Sequence, residues 1–127
     1  MTTVESRTRS SGYKIGWWVL VVINGLSILN HLAGPLAGFA ETDDEVLAFF
    51  ALAAMNIYAL VVVVTAYRRG EPWAWWVTWV MIAIYGLTIL YAPVVGPLYL
   101  GAAVVMAVAQ LMTWSAFPQP DQSRNVV

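Results

Sequence analysis

The chain has 127 residues, of which 61% are hydrophobic and 10% charged, with a formal net charge of −1 and no cysteine. An ordinary soluble domain carries about 25% charged residues, so a water-exposed fold of this size would lack the polar side chains to cover itself. The charge balance also excludes a nucleic-acid footprint, and the missing thiols exclude disulfides, thiolate nucleophiles and thiolate-bound clusters.

The thirteen charged residues fall in four short clusters, at 5–14, 41–45, 68–71 and 121–124. Apolar runs occupy 15–40, 46–67 and 72–120. A helix crosses the hydrocarbon core with about 20 apolar residues, and a charge at its centre costs about 2.5–3.5 kcal/mol or more. The third run is longer than one helix needs and is broken by Pro93, Gly96 and Pro97. The sequence therefore predicts an all-α four-helix membrane bundle with spans at 15–36, 45–67, 73–91 and 98–117. Residues 1–14 and 118–127 are tails, and 15–117 form one transmembrane domain. Arg7, Arg9 and Lys14 give the start of the chain the charge of a signal peptide. The apolar run after them exceeds the usual ~7–15 residues and no small-residue cleavage site ends it, so the first helix is expected to be retained.

Helix 1 begins with Trp17 and Trp18. At about 100° per residue, Asn24, Ser27 and His31 lie within about 60° of one another, with Asn30 to one side. Gly34 and Pro35 close the helix. The loop that follows holds only acids: Glu41, Asp43, Asp44 and Glu45. Thr42 or Asp43 can cap helix 2, and Asp44 and Glu45 suit the positive end of its dipole; a cation-collecting mouth is the alternative. On helix 2, Glu45, Phe49, Leu52, Ala53 and Asn56 share a face, while Tyr58 and Thr65 point away. Arg68 and Arg69 close that helix, Gly70 turns the chain, and Glu71 with Pro72 opens helix 3. Helix 3 carries a stripe of Thr78, Met81, Tyr85 and Thr88, and helix 4 one of Tyr99, Ala103, Met106, Gln110 and Thr113.

Lys and Arg precede helix 1 and separate helices 2 and 3, which puts both termini in the cytoplasm of a prokaryotic inner-membrane protein. The seven tryptophans lie at the same ends of helices 1, 3 and 4, as an interfacial aromatic belt would. The chain also resembles itself. Residues 25–30 (Gly-Leu-Ser-Ile-Leu-Asn) match 86–91 (Gly-Leu-Thr-Ile-Leu-Tyr), and a Gly-Pro-Leu follows each. A tandem duplication of a helical hairpin, helices 1–2 and 3–4, would relate the halves by a pseudo-two-fold axis along the membrane normal. Helices 1 and 3 are then expected to approach each other along Asn24 and Ser27 against Tyr85 and Thr88.

The polar faces describe a seam that opens outward and closes near the middle of the bundle. Its candidate ligand-binding residues are Asn24, Ser27, His31, Asn56, Tyr85 and Thr88; hydrogen bonding between helices is the structural alternative. The leading expectation is a non-enzymatic membrane subunit or binder of a lipid-like or apolar molecule, an isoprenoid for example, or of a partner helix from another membrane protein or a second copy. The alternative is a membrane enzyme of isomerase or cyclase type, in which His31 moves protons, Glu45 orients it or serves as its acid partner, and Tyr85 and Asn56 hold a polar group. A passive channel comes third, because no ring of charge lines the seam. One histidine cannot complete a metal's inner shell, so neither metal nor cofactor is expected. Zinc-protease, nucleotide-binding and catalytic-triad motifs are missing.

Overall fold

The structure is a computed structural model that describes residues 10–117. The two tails' outer residues, with Arg7, Arg9, Asp121 and Arg124, lie outside the described residues. The elements are α1 (Ser11–Leu36), α2 (Asp43–Val62), α3 (Pro72–Tyr91) and α4 (Gly96–Met112). A π-helical turn, Val63–Tyr67, prolongs α2, and a 3-10 turn, Trp114–Ala116, follows α4. There is no strand among the described residues.

Local chemistry sets the boundaries. α1 starts four residues before the expected position because the Ser10 hydroxyl accepts from the Tyr13 N–H at 3.2 Å and caps it. α2 starts at Asp43 on a reciprocal cap: Thr42 Oγ1 accepts from Glu45 N–H, and Glu45 Oε2 accepts from Thr42 N–H at 3.0 Å. That arrangement satisfies two otherwise orphaned donors at the helix start. Glu71 and Pro72 open α3 as expected, after Gly70 turns the chain at φ +81°, where a side chain would be strained. α4 departs furthest from expectation. Its regular part stops at Met112, five residues short of the expected end, and finishes in the tighter 3-10 turn.

Three helices, Ser11–Leu36, Asp43–Tyr67 and Pro72–Tyr91, are long and apolar enough to cross a membrane. α4, with 17 residues, rises about 26 Å and falls below that length.

The helices run up and down, so one end of the bundle carries Arg68 and Arg69 (the arginine end) and the other carries Glu41 to Glu45 (the acidic end). α1 packs along α2 and α4, and α3 packs along α4. α2 and α3 scarcely touch, except where the π turn meets α3 at the arginine end. α1 and α3 make no backbone approach at all. The two are diagonal partners, and the expected approach is made through side chains alone, with Tyr85 reaching across to Ser27. A two-fold axis relating the hairpins would make the α1–α4 and α2–α3 seams equivalent. They are not.

Gly16 explains the closed seam. A Cβ there would collide with the Ala109 carbonyl and the Thr113 methyl, so α1 and α4 meet backbone to backbone at the arginine end. Small residues allow such approaches between helices. The same end is sealed by aromatics. Trp75 meets Trp114 at 4.7 Å and Trp79 at 5.6 Å between ring centroids, and Tyr67 meets Phe117 at 4.8 Å. Trp17 Nε1 donates to the Val63 carbonyl at 2.9 Å, occupying an oxygen of the π turn. Tyr67, brought inward by that turn, donates to Gln110 Oε1 at 2.9 Å and also pairs with Thr113 Oγ1.

Candidate functional site

The sparse contact between α2 and α3 leaves a lateral cleft made of two cavities. The inner cavity, about 240 Å³, is walled by Met55, Ala59, Val62, Val77, Met81 and Ile84 and reaches Asn24 and Thr78. The outer cavity, about 200 Å³, runs from Leu52 and Ile84 to Glu45 and Val95. Met55 and Ile84 line both, so the two adjoin along the seam. From Val77 to Ala92 the cleft extends about 22 Å at 1.5 Å per residue. Together the cavities reach the lower part of the ~300–1,000 Å³ range of small-molecule sites. A third cavity, about 280 Å³, opens between α1 and α4 near the acidic end and touches Ser27, Asn30, Tyr85 and Tyr99. Tyr85 and Tyr99 line this and the outer cavity, and so form the partition between them.

That partition belongs to a hydrogen-bonded chain. Tyr85 donates to Asn56 Oδ1 at 2.6 Å. Asn56 Nδ2 donates to the Leu52 carbonyl at 2.8 Å and faces His31 Nδ1 at 3.4 Å. His31 Nε2 sits 2.7 Å from the Tyr99 hydroxyl. His31 is 1% exposed and Asn56 fully buried, so leaving either unpaired would cost about 1–3 kcal/mol. The two tautomers of His31 read differently. With the proton on Nε2, the ring accepts from Asn56 and donates to Tyr99. With the proton on Nδ1, Nε2 accepts from Tyr99, and the Ser27 backbone is the ring's remaining partner. Moving one proton thus converts Tyr99 from acceptor to donor. Phe49 covers the imidazole, its centroid 6.1 Å away.

Of the residues singled out from sequence, His31, Asn56 and Tyr85 come together directly, and Ser27 meets Tyr85. Thr88 lines the outer cavity, but its hydroxyl donates to its own helix at Ile84. Asn24 stands apart from this chain, in the inner cavity. Glu45 is not the partner of His31. Its carboxylate is exposed and taken up by the Glu41 and Thr42 N–H groups at 2.7 and 3.0 Å, and it reaches the cleft only at its rim. The His31 partner that sequence reasoning passed over is Tyr99. It lies on the polar stripe of helix 4, near the helix start, where a tyrosine reads equally as an interfacial anchor. The expected opening also differs: the cleft opens sideways between α2 and α3, and its arginine end is shut by the π turn on α3.

Asn24 is the unusual group. It is 1% exposed, midway along α1, and its Nδ2 donates to the Leu20 carbonyl at 2.8 Å. Its Oδ1 is buried and has no hydrogen-bond partner. Turning the amide over would set that oxygen against the Leu20 carbonyl, so the acceptor stays unmatched in either orientation. Among the described residues no group of histidines and carboxylates converges as a metal site would require. No known protein family matches the chain, and neither does any curated protein or solved structure.

Proposed function

We propose that the protein is a four-span integral membrane protein of the non-enzymatic class, with both termini in the cytoplasm, that holds a lipid-like molecule in the cleft between α2 and α3. The membrane assignment is supported by outward-facing Leu26, Leu29, Val61, Val80, Leu87, Val104 and Val108, all exposed and spread over all four helices. Water tolerates no such continuous apolar surface on a monomer. In that setting α4 reaches across through its 3-10 turn and local thinning of the bilayer, since mismatch of a few Å costs only fractions of a kcal/mol per Å. Arg68, Arg69 and Lys14 at one end and acids at the other orient the bundle. Cysteine in place of Ser11 or Arg69 is expected to resist an impermeant thiol reagent applied to intact cells, and cysteine in place of Glu41 to react. Outside labelling at Arg69→Cys overturns the orientation.

The observation that carries the binding reading is the cleft: apolar walls open toward lipid, with Asn24 and Thr78 buried at its floor and Tyr58 and Glu45 at its edges. Lipid-like ligands enter such sites sideways, from the bilayer. Protein purified in mild detergent is expected to bring with it one lipid-like species in near-stoichiometric amount, measured by extraction and mass spectrometry. Ile84→Trp, which fills the junction of the two cavities, should release it. Equal retention by the plugged protein, or only the mixed lipids of the host membrane, refutes the reading.

A second reading, an enzyme acting on a lipid-like substrate, draws on the Tyr99–His31–Asn56–Tyr85 chain, whose ends border both outer cavities. Such a relay can move a proton at Tyr99 without a charged group in the cleft. Conversion of the co-purified species by the wild type and not by His31→Gln would decide for this reading over passive binding.

A further inference from the structure

Resting on the cleft reading above, we infer that the occupant carries a neutral hydrogen-bond donor, a hydroxyl, and that this hydroxyl seats against Asn24 Oδ1 in the inner cavity. The two buried polar side chains that border that cavity each hold an unused acceptor. Asn24 has spent an amide hydrogen on the Leu20 carbonyl, and its oxygen has no partner. Thr78 has spent its hydroxyl hydrogen on the Ala74 carbonyl at 2.8 Å and offers only lone pairs. Tyr58, on the exposed edge of the wall, is the remaining polar side chain. A ligand whose polar groups are carbonyls or ethers could take at most the second Asn24 amide hydrogen and would leave the Asn24 oxygen unmatched. An ammonium would match the acceptor but would have to shed its hydration in an apolar slot with no carboxylate at this depth. An alcohol fits both conditions.

The shape of the cleft orients the molecule. Its arginine end is shut, because the π turn packs on α3, and its other end adjoins the outer cavity at Met55 and Ile84. The hydroxyl therefore lies toward the closed end, and the apolar tail extends toward the acidic end. This reverses the orientation of a bilayer lipid, whose polar group stays at the surface. It suits molecules with one small polar group on a long apolar chain, whose hydroxyl alone can be carried to mid-membrane depth.

The test uses the full chain in detergent micelles and three probes of matched tail: a C20 isoprenoid alcohol, its methyl ether, and a quinone bearing the same tail. Equilibrium competition against the radiolabelled alcohol is expected to rank the alcohol at least tenfold tighter than the ether and the quinone. Asn24→Leu should bring the alcohol down to the ether's affinity and leave the ether within twofold of its wild-type value. The wild-type ranking stands on its own should that variant fail to fold. Ether or quinone binding as tightly as the alcohol, with all three lost in Ile84→Trp, overturns the hydroxyl assignment and spares the cleft. Binding of all three that survives Ile84→Trp removes the cleft reading and the assignment with it.

Discussion

The two seams between the hairpins join similar helices and have opposite characters. Between α1 and α4, glycine at 16 lets the backbones meet, and Ala109 and Thr113 fit beneath it. Between α2 and α3, the facing residues are Met55, Tyr58, Val77, Val80 and Ile84, which hold the backbones apart and leave a void among their tips. Side-chain size at one or two positions thus decides whether a seam between apolar helices seals or stays open. Where lipid is as apolar as leucine, nothing but packing and hydrogen bonds draws helices together. An open seam is then a stable feature of the fold.

The largest effect should follow from opening the closed seam. Gly16→Leu drives a side chain into the Ala109 carbonyl and Thr113, against backbone that cannot step aside. Thermal or denaturant unfolding in detergent should show a loss of about 3 kcal/mol, the upper part of the range for overpacking. A fully stable variant would mean that α1 and α4 are not in contact at this point. Next comes His31→Ala, which abandons Tyr99 and Asn56 together. A loss of about 1–3 kcal/mol is expected, with ligand retention reduced as the partition between the outer cavities loosens. Unchanged stability and unchanged retention would make His31 a bystander. Plugging the open seam should do far less: Ile84 is partly exposed and faces empty space, so Ile84→Trp is expected to stay within about 0.5 kcal/mol of wild type. A large loss there would mean that α2 and α3 already touch, and that the cleft is closed.

Much of this was legible in the chain. The charge clusters at 41–45 and 68–71 marked the turns, because a charge cannot be left inside an apolar helix cheaply. The stripes through Asn24 and His31, Thr78 and Tyr85, and Met106 and Gln110 are buried as their spacing predicts. What could not be read is which helices are neighbours. A repeated hairpin suggests a symmetric pairing, yet the seams are set by single residues such as Gly16, whose partner lies more than ninety positions away in α4. The π turn was equally silent, since one residue gained in the register leaves no mark on composition. It carries Tyr67 into the interior, away from the Tyr58 and Thr65 face of the same helix. Glu45 misled for a related reason. Its depth and helix placed it near His31, while the free N–H groups at its own helix start claimed its carboxylate.

The smallest effect concerns the turn that joins the two sides of the open seam. Glu71 accepts from Trp73 Nε1 at 2.6 Å and from Arg69 Nε at 2.9 Å, tying the end of α2 to the start of α3. The indole N–H, and after it the guanidinium, hold its carboxyl below the ordinary value of 4.5. A carboxyl depressed in the folded state binds protons more readily when unfolded, so its contribution is present above the ordinary value and fades as pH falls through the folded one. The group is exposed and the pair is screened, so the contribution is small. Glu71→Gln keeps the acceptor and removes the charge. A slight deficit in melting temperature is expected at neutral pH, closing as the pH drops below 4.5 and shrinking in high salt. A deficit that persists into acid would assign the effect to the shape of the turn and not to its charge. A deficit rivalling that of Gly16→Leu would place the grip on the two halves at this turn, and the contrast between a sealed seam and an open one would no longer explain how the bundle holds.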